Sequence, residues 1–527
     1  MTTASAQLDQ GVRSVSLISL GCPKNTVDSE KMLGLLAESG LRVVSADAGE
    51  ADAVVVNTCG FLEDSKIESL SVIHEALEKK KAGRIKRVVV AGCLVQRHRA
   101  KILDWAPGVD AMIGVFDRDR IVSAVTGARP DRAALADQQA APYWITASAL
   151  SAARDRGVDT VGLTVNGKDG KGLGYFERDD ARLRITPRHY AYLRVSEGCN
   201  QNCAFCTIPS IRGKMRSKPL DRIVAEAREL LADGAFELNL IGQDTTSYGD
   251  DVGRGLASGE GLPKLLREVS DTIAREAGAG WARLMYAYPT TFSDEMIDAI
   301  GELEHVVPYI DIPLQHASNH MLSRMRRNVT REEQTELLHK LRERIPGMAI
   351  RTTFITGFPG ETEADHEELL AFIEEIGFDM LGVFEYSPEP GTPAGRMAQD
   401  PELRVDDETK ARRHHEIMSL QQTIAFEQAA YLAEQFDPAD PENTGAIFDV
   451  LVDESAAEAP GEDGLYEATG RAYFQAPGID SVTAVRSRKP LSPGELVRCT
   501  VVASDGYDLI ARPREDLRRA VSLPVIS

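Results

Sequence analysis

Residues 197–206 of this chain run Glu197-Gly198-Cys199-Asn200-Gln201-Asn202-Cys203-Ala204-Phe205-Cys206. The stretch places three thiols on a short loop, directly after an apolar run at 191–196 that has the length of a buried strand. Thiolates this close together suit either zinc or an iron–sulfur cluster. A structural zinc ion needs a fourth protein ligand, yet no Cys or His occurs between Cys206 and His305. A four-iron cluster can instead leave one iron without a protein ligand, free to bind a cofactor or substrate.

The sequence around this loop alternates between predicted strands and helices, which is the pattern of an α/β fold. Six strand–helix units occur in about 200 residues, which is too few for a closed eight-fold barrel and predicts an open, incomplete one. The apolar runs that predict strands lie at 191–196, 237–241, 283–288, 309–312, 349–355 and 380–386. Helical spacing of apolar residues is found at 220–232, 294–303, 331–344 and 363–376.

A second α/β unit precedes the barrel, over residues 13–126. Short β-branched runs at 14–20, 53–56, 87–91 and 109–113 alternate with helical segments, which predicts a flavodoxin- or Rossmann-like parallel sheet. Cys22, Cys59 and Cys93 each follow directly on one of the first three runs. Ligand sites in open parallel sheets lie beyond the carboxyl ends of the strands, so we expect these thiols to share one site. The alternative is three unrelated buried cysteines.

Composition limits the class of protein to which the chain can belong. Its 60 Lys and Arg residues oppose 81 Asp and Glu residues, a net charge of −21, which argues against a general nucleic-acid coat. No run approaches the ~20 apolar residues of a membrane helix, and residues 1–11 lack the basic and apolar regions of a signal peptide. We therefore expect a cytoplasmic protein without a membrane partner, in which clustered cysteines favour metal chemistry over disulfide bridges.

The remaining stretches predict two tails, a connecting segment and a third domain. We expect residues 1–12 to be a disordered tail, 514–527 to be a second tail, and 127–188 to be a linker or insertion. The barrel domain is expected to span 189–436, with a trailing helix at 409–435. Five short runs between 443 and 513 predict a small antiparallel β-barrel. Cys499 lies inside one of these runs, and we expect it to belong to the core.

The spacing Cys-x3-Cys-x2-Cys, with Phe205 just before the last cysteine, resembles the radical S-adenosylmethionine (SAM) superfamily. The resemblance implies that Cys199, Cys203 and Cys206 hold a [4Fe-4S] cluster and act in catalysis. The amine and carboxylate of SAM would chelate the open iron, and Phe205 would lie near the adenine. Gln243 and Asp244 follow the second barrel strand, where ligand contacts occur in barrels. The residues alone leave open whether these two bind cofactor or substrate.

Together with the first three cysteines, the match extends over nearly the whole chain to the methylthiotransferases, and within them to the RimO-type branch. The matching motifs are Ser19-Leu20-Gly21-Cys22-Pro23-Lys24-Asn25, Asn57-Thr58-Cys59-Gly60-Phe61, Asp311-Ile312-Pro313-Leu314-Gln315-His316-Ala317, Phe354-Ile355-Thr356-Gly357-Phe358-Pro359-Gly360-Glu361-Thr362 and Tyr386-Ser387-Pro388-Glu389-Pro390-Gly391-Thr392. The sister branch, which modifies transfer RNA, usually has Gly-Cys-Gln-Met-Asn in the first motif, where this chain has Pro23-Lys24. The stretch 127–188 is longer than is usual in the family.

The resemblance implies an enzyme that installs a methylthio group on the β-carbon of an aspartate in small-subunit ribosomal protein uS12, free or within the subunit. It also implies a second [4Fe-4S] cluster on Cys22, Cys59 and Cys93, and a C-terminal TRAM barrel of OB-like form. One SAM would methylate a sulfur held at the second cluster. Another SAM would be cleaved reductively to a 5′-deoxyadenosyl radical, which abstracts hydrogen from the target carbon. The electron donor and the sulfur donor are left unidentified.

The charge of the predicted C-terminal barrel bears on the substrate independently. Residues 443–512 contain eleven acidic and six basic residues, a net charge of −5. Phosphate contacts dominate nucleic-acid affinity, so an acidic surface favours a basic ribosomal protein over RNA, although a merely solvated face has the same composition. Arg486-Ser487-Arg488-Lys489 could still contact RNA locally. Two alternatives stay open: a transfer-RNA methylthiotransferase, and a zinc-bearing ribosome-binding factor without catalysis.

Overall fold

The computed structural model describes residues 11–45, 51–127, 143–146, 151, 179–455 and 459–518. Its first unit is a parallel sheet with strand order β2-β1-β3-β4-β5-β6. The strands are β1 (Ser14–Ser19), β2 (Arg42–Val43), β3 (Ala53–Thr58), β4 (Arg87–Gly92), β5 (Ala111–Ile113) and β6 (Tyr143–Trp144). The helices are α1 (Pro23–Glu38), α2 (Glu63–Lys81), α3 (Cys93–His98), α4 (Lys101–Trp105) and α5 (Ile121–Thr126). The order of the first five strands is that of flavodoxin-like folds, which confirms the predicted fold class.

Part of the 127–188 stretch belongs to this first unit, so the prediction of a linker is wrong for those residues. Tyr143 and Trp144 form β6, which extends the sheet in parallel by pairing with Met112 and Ile113 of β5. A two-residue strand is too short to leave a hydrophobic period in the sequence. The larger part of the stretch, residues 128–142, 147–150 and 152–178, lies outside the described residues.

The second unit is an open sheet of six parallel strands in the order β14-β13-β12-β11-β10-β7, as predicted. These strands are β7 (Tyr190–Arg194), β10 (Glu237–Ile241), β11 (Trp281–Leu284), β12 (Val306–Asp311), β13 (Ala349–Thr356) and β14 (Met380–Glu385). A separate ribbon is formed by β8 (Ser196–Glu197) and β9 (Arg216–Ser217). The helices are α6 (Ile208–Ile211), α7 (Leu220–Ala232), α8 (Gly261–Glu276), α9 (Asp294–Glu302), α10 (Asn319–Met325), α11 (Arg331–Arg344), α12 (Glu363–Ile376), α13 (Pro393–Met397) and α14 (Asp407–Glu434).

The two faces of this open sheet pack against different partners, because successive side chains of a strand point to opposite faces. Leu193 and Leu238 belong to the outer face, which packs with the surrounding helices in an extensive apolar core. Tyr192 and Tyr309 belong to the concave face and pack instead with Val27 of α1 and with aromatic residues of the C-terminal unit. The first and third units therefore cover the side on which an open barrel would otherwise admit water.

The third unit is a closed barrel of five strands in the order β15-β16-β17-β19-β18. The strands are β15 (Ile447–Ser455), β16 (Tyr466–Arg471), β17 (Thr483–Ser487), β18 (Leu496–Asp505) and β19 (Asp508–Pro513). The other strand pairs are antiparallel and β17 and β19 run parallel, so the predicted small antiparallel barrel is confirmed with one parallel pair. Alternating apolar runs predict strands but carry no information about the direction of a partner strand. Cys499 is buried in the core of this barrel, as predicted.

Both predicted tails overlap the folded structure at their inner ends. Val12 is half-buried against the apolar core of the first sheet, so the disordered tail does not extend to it. Residues Arg514–Leu517 form a short helix, α15, whose Leu517 side chain is buried. Residues 1–10 and 519–527 lie outside the described residues. In the part of the chain that is described, none of the helices is both long and apolar enough to cross a membrane.

Candidate active site

The loop with three cysteines lies at the carboxyl end of β7 and is closed by the ribbon of β8 and β9. Gly198 has φ = 77°, and a Cβ there would lie 2.3 Å from the carbonyl oxygen of Lys214, so the close approach of the two arms needs glycine. Cys199 is buried, while Cys203 and Cys206 are half-buried. The loop thus brings the three predicted thiols to the end of the barrel where ligands bind.

Each thiol of this loop accepts one hydrogen bond from a nitrogen 3.4 Å away. The donors are the backbone N–H of Gln201 to Cys199, the guanidinium of Arg327 to Cys203 and the backbone N–H of Ile208 to Cys206. Donors aimed at sulfur favour the thiolate, the form that binds metal. Burial raises the pKa of Cys199 and of Cys206 to about 12, so a bound cation has to supply the rest of the stabilisation.

The donor set of the loop bears on the choice between zinc and an iron–sulfur cluster. Zinc–sulfur bonds are about 2.3 Å long, so a zinc site brings its sulfur atoms within about 4 Å of one another. Among the residues that the structure describes, no three Cys, His, Asp or Glu side chains converge tightly enough to hold a single ion. Three thiols on one loop, with no Cys or His in the chain between Cys206 and His305 to complete a zinc site, suit a cluster of several irons.

Arg327 and Tyr288 reach the cysteine loop from distant parts of the barrel. The guanidinium of Arg327, which donates to Cys203, lies 4.2 Å from the centroid of the Tyr288 ring. The Tyr288 hydroxyl contacts the Cys203 sulfur at 3.8 Å. Sequence reasoning missed both residues because they follow Cys203 by 124 and 85 positions, in loops without a chemical motif.

The remaining predicted residues of this site, Gln243, Asp244 and Phe205, also lie against the cysteine loop. Asp244 is buried and accepts a hydrogen bond of 2.8 Å from Gln201, inside the loop. Gln243 donates to Glu197 at 2.8 Å, while its own side-chain oxygen has no partner among the described residues. Phe205 packs, half-buried, against an apolar cluster of the barrel. In this structure Asp244 is hydrogen-bonded to the cysteine loop, and Gln243 is hydrogen-bonded to Glu197, at the start of that loop.

Cys22, Cys59 and Cys93 lie at one edge of the first sheet, Cys22 and Cys59 on loops and Cys93 as the first residue of α3. They follow β1, β3 and β4, which are neighbours in the sheet, so the carboxyl ends of these strands are adjacent. Gly21 has φ = 90°, and a Cβ there would lie 2.8 Å from the Cβ of Cys59. A Cβ at Gly60 would lie 3.1 Å from the carbonyl carbon of Cys93. The two glycines therefore allow the three backbone segments that carry the cysteines to lie in contact.

Asn25 and Arg212 connect the two cysteine trios. Asn25 donates to the carbonyl oxygens of Leu20 at 2.7 Å and Thr58 at 3.1 Å, which lie two residues before Cys22 and one residue before Cys59. Arg212 follows the barrel cysteines and donates to the side-chain oxygen of Asn25 at 3.1 Å. It also donates to Glu197, at the start of the barrel loop, at 3.0 Å. One guanidinium thus contacts residues that support both trios.

A buried ion cluster surrounds this contact and fixes α1 on the concave face of the barrel. Asp28 of α1 accepts hydrogen bonds from Arg212 at 3.0 Å, from Arg194 at 2.6 Å and from Arg118. Arg194 also donates to Asp179 at 3.0 Å, which shows that the end of the 127–188 stretch takes part in this interface. We call this surface, defined by Lys24, Asn25, Asp28, Arg194 and Arg212, the seam.

We expect Asp28→Asn to lower the free energy of unfolding by about 3–5 kcal/mol, because it leaves three buried guanidinium groups short of one negative charge. Chemical denaturation of the full chain, followed through its first unfolding transition, measures this decrease in the free energy of unfolding. A matched control is Glu78→Gln, which removes an exposed ion pair with Lys81 and should cost less than about 1 kcal/mol. Equal losses in the two variants would contradict the role of the seam.

Comparison with known proteins covers each of the three units. The chain matches the radical SAM superfamily over residues 193–373, the uncharacterized protein family UPF0004 over residues 14–114 and the TRAM domain over residues 444–513. These three stretches coincide with the open sheet, the flavodoxin-like sheet and the closed barrel.

Curated relatives match the chain almost from end to end. A ribosomal protein uS12 methylthiotransferase RimO from Desulforamulus reducens is 38% identical over 94% of this chain and 98% of its own length. The protein of the same name from Anaeromyxobacter sp. (strain K) is 39% identical over 97% of this chain and 96% of its own length. Among solved structures, the radical SAM methyltransferase TsrM from Kitasatospora setae shares the fold with a TM-score of 0.51 and 17% identity, over 73% of this chain and 75% of that one.

Proposed function

The chain belongs to the ribosomal protein uS12 methylthiotransferase family, and from this premise we propose that it transfers a methylthio group to the β-carbon of an aspartate in uS12. It is a radical SAM enzyme with a C-terminal TRAM domain. The observation that carries the proposal is the connection of two cysteine trios through Arg212 and Asn25 in one buried seam. A reaction that needs both a radical and a sulfur source needs two such sites close together.

In this proposal Cys199, Cys203 and Cys206 hold a [4Fe-4S] cluster that binds SAM, and the N-terminal trio holds a second [4Fe-4S] cluster. When bound, the clusters and SAM supply the methylthio group and the radical chemistry that exchanges a C–H bond of the aspartate for a C–S bond. Three thiols in each trio leave one iron of each cluster open to a non-protein ligand. Phe205 would flank the adenine of bound SAM, and the side-chain oxygen of Gln243, which has no partner among the described residues, would be available to accept a hydrogen bond from SAM.

The protein itself contributes positioning and the exclusion of water. Arg327 and two backbone N–H groups donate hydrogen bonds to the barrel thiols and so orient their sulfur atoms. Asp28 and Arg212 fix α1, and with it the N-terminal trio, against the barrel. The packing of Val27 and of the C-terminal aromatic residues on the concave face keeps bulk solvent from that face of the barrel, which would limit side reactions of bound SAM.

Ion pairs in the closed barrel support a protein substrate over RNA. Four of its six basic side chains are neutralised, in the pairs Arg471–Glu237, Arg486–Asp463, Lys489–Glu515 and Arg498–Asp449. Two of the three basic residues predicted to contact RNA, Arg486 and Lys489, therefore have an acidic neighbour, which reduces the positive charge offered to phosphate groups. The excess of acidic residues favours the approach of a basic ribosomal protein.

The reaction also needs electrons and sulfur that the chain does not contain. We propose that a separate reductant and a separate sulfur donor supply them, in the cytoplasm, where ribosomal proteins are made. The substrate is then either free uS12 or uS12 in an assembling small subunit.

The substrate assignment is tested by offering the reconstituted enzyme uS12 and a transfer-RNA anticodon stem in parallel, under anaerobic conditions with SAM and a reductant. We expect a mass gain of one methylthio group on uS12 and none on the RNA, because most Arg and Lys side chains of the closed barrel already form ion pairs with acidic residues. A mass gain on the RNA alone would overturn the assignment. Small subunits lacking the modification, offered as a third substrate, separate the free protein from the assembled form.

A further inference from the structure

Lys24 places a buried ammonium group on the seam between the two cysteine trios. It lies in the first turn of α1, two residues after Cys22, and its residue is 5% exposed. Its Nζ atom lies over the ring of Tyr286, 2.8 Å from the centroid. Tyr286 follows β11 at the carboxyl end of the barrel, and Tyr288, two residues further on, contacts Cys203. The contact between Lys24 and Tyr286 thus joins a residue close to the N-terminal trio to a residue close to the barrel trio.

The ammonium group of Lys24 makes no direct contact with an anionic side chain of the described residues, although the Cys22 thiol and the Asp311 carboxylate lie close enough to act on it electrostatically. No hydrogen bond or ion pair joins its Nζ to any residue that the structure describes. The nearby carboxylate of Asp311 is engaged elsewhere, because it accepts hydrogen bonds from Arg351 at 2.9 Å and from the backbone N–H of Tyr286 at 3.3 Å. The other cations of the seam, Arg194 and Arg212, both donate to Asp28. Lys24 is therefore the exception on a seam whose charges are otherwise paired.

An unpaired ammonium in this place is costly unless an anion joins it. Removal of a charge from water is unfavourable, and a contact with one aromatic face offsets only part of that cost. The ring beneath it is held in place by backbone contacts, since Tyr286 has φ = 62° and its carbonyl oxygen accepts a hydrogen bond of 3.1 Å from Thr245. A bulky residue rarely adopts this conformation, and such strain is typical of functional sites.

We propose that the ammonium group of Lys24 binds the side-chain carboxylate of the aspartate that is modified. This inference rests on the proposed function and names a substrate-binding residue for it. The β-carbon is bonded to the carboxylate carbon, so a carboxylate held on Lys24 places the reacting carbon between the trios. An adenine base has no anionic group beside its reacting carbon, so the same contact distinguishes aspartate from RNA.

The test is a double-mutant cycle on binding, measured on the cluster-loaded full chain by fluorescence anisotropy of a labelled uS12 peptide. The peptide carries either the target aspartate or an isosteric asparagine, and the chain carries Lys24 or Lys24→Met. We expect the wild-type chain to bind the aspartate peptide about ten- to a hundredfold more tightly than the asparagine peptide, since a hydrogen bond to a charged group has that value. Lys24→Met should bind the two peptides equally.

Two further variants keep the test clear of folding effects. Lys24→Gln retains a polar side chain without the charge and should lose the preference as Lys24→Met does. Lys79→Met removes an exposed lysine at the end of α2, paired with Glu75, and should retain the full preference. An unchanged preference in Lys24→Met and Lys24→Gln would overturn the proposal.

A third arm separates the carboxylate of the substrate from that of SAM. The affinity for SAM, titrated without peptide, should be the same in the wild-type chain and in Lys24→Met. A loss confined to SAM would overturn the proposal, because the anion on Lys24 would then belong to the cofactor. Failure of the proposed function has a different signature: the wild-type chain would bind and modify neither peptide.

Discussion

Replacement of Cys206 by alanine should reduce methylthio transfer to uS12 by at least about a thousandfold, because the remaining two thiols cannot hold the cluster that cleaves SAM. Reductive cleavage of SAM should be lost with it. The fold of the loop does not depend on this side chain. Its arms are held by Gly198, by the β8–β9 ribbon and by the hydrogen bond of 2.9 Å from the N–H of Ala204 to the carbonyl oxygen of Met325.

Cys499→Ala is the matched control for this prediction. Cys499 is a buried cysteine in the core of the closed barrel, away from both trios, so its loss removes a thiol without removing a cluster ligand. The variant should cleave SAM and modify uS12 at close to the wild-type rates. Retention of SAM cleavage by Cys206→Ala would show that Cys206 is not a cluster ligand.

Replacement of Cys93 by alanine should separate the two halves of the reaction. Methylthio transfer should again fall by at least about a thousandfold, because the N-terminal trio can no longer hold the second cluster. Cleavage of SAM should continue, because the three barrel thiols and their donors stay in place. The amounts of 5′-deoxyadenosine and of modified uS12, measured in one reaction mixture, report on the two halves.

Cys22→Ala provides a second test of the same site, since its thiol is exposed where that of Cys93 is buried. Both variants should behave alike, although their side chains have different packing roles. If Cys93→Ala lost SAM cleavage and Cys22→Ala did not, the loss in Cys93→Ala would reflect misfolding of the seam rather than removal of a cluster ligand. If either variant still modified uS12, the N-terminal trio would not be the sulfur site.

The placement of both trios after the strands of their sheets could be predicted from the sequence, for physical reasons. The barrel trio is local, because eight consecutive residues and one glycine place its thiols on a single loop. The N-terminal trio depends on a general property of parallel sheets, in which the loops after neighbouring strands meet at one edge. Long β-branched runs mark these strands clearly, so the prediction of a shared edge needed no tertiary information.

The contacts of the seam could not be predicted from the sequence. Asp28 and Arg212 are separated by 184 residues, and charged residues on an amphipathic helix are more often solvated than buried. Lys24 was part of a recognised motif, yet its contact with Tyr286 depends on the docking of two units. The parallel pair of β17 and β19 and the two-residue strand β6 were missed because short runs carry neither direction nor period.

Anaerobic analysis of iron, sulfide and zinc in the reconstituted chain tests the central claim most directly, which is that one chain holds two clusters on two trios. We predict about eight irons and eight sulfides per chain, with no zinc, falling to about four of each in either Cys206→Ala or Cys93→Ala. Stoichiometric zinc without iron, or four irons that persist when both of those cysteines are replaced together, would contradict the account.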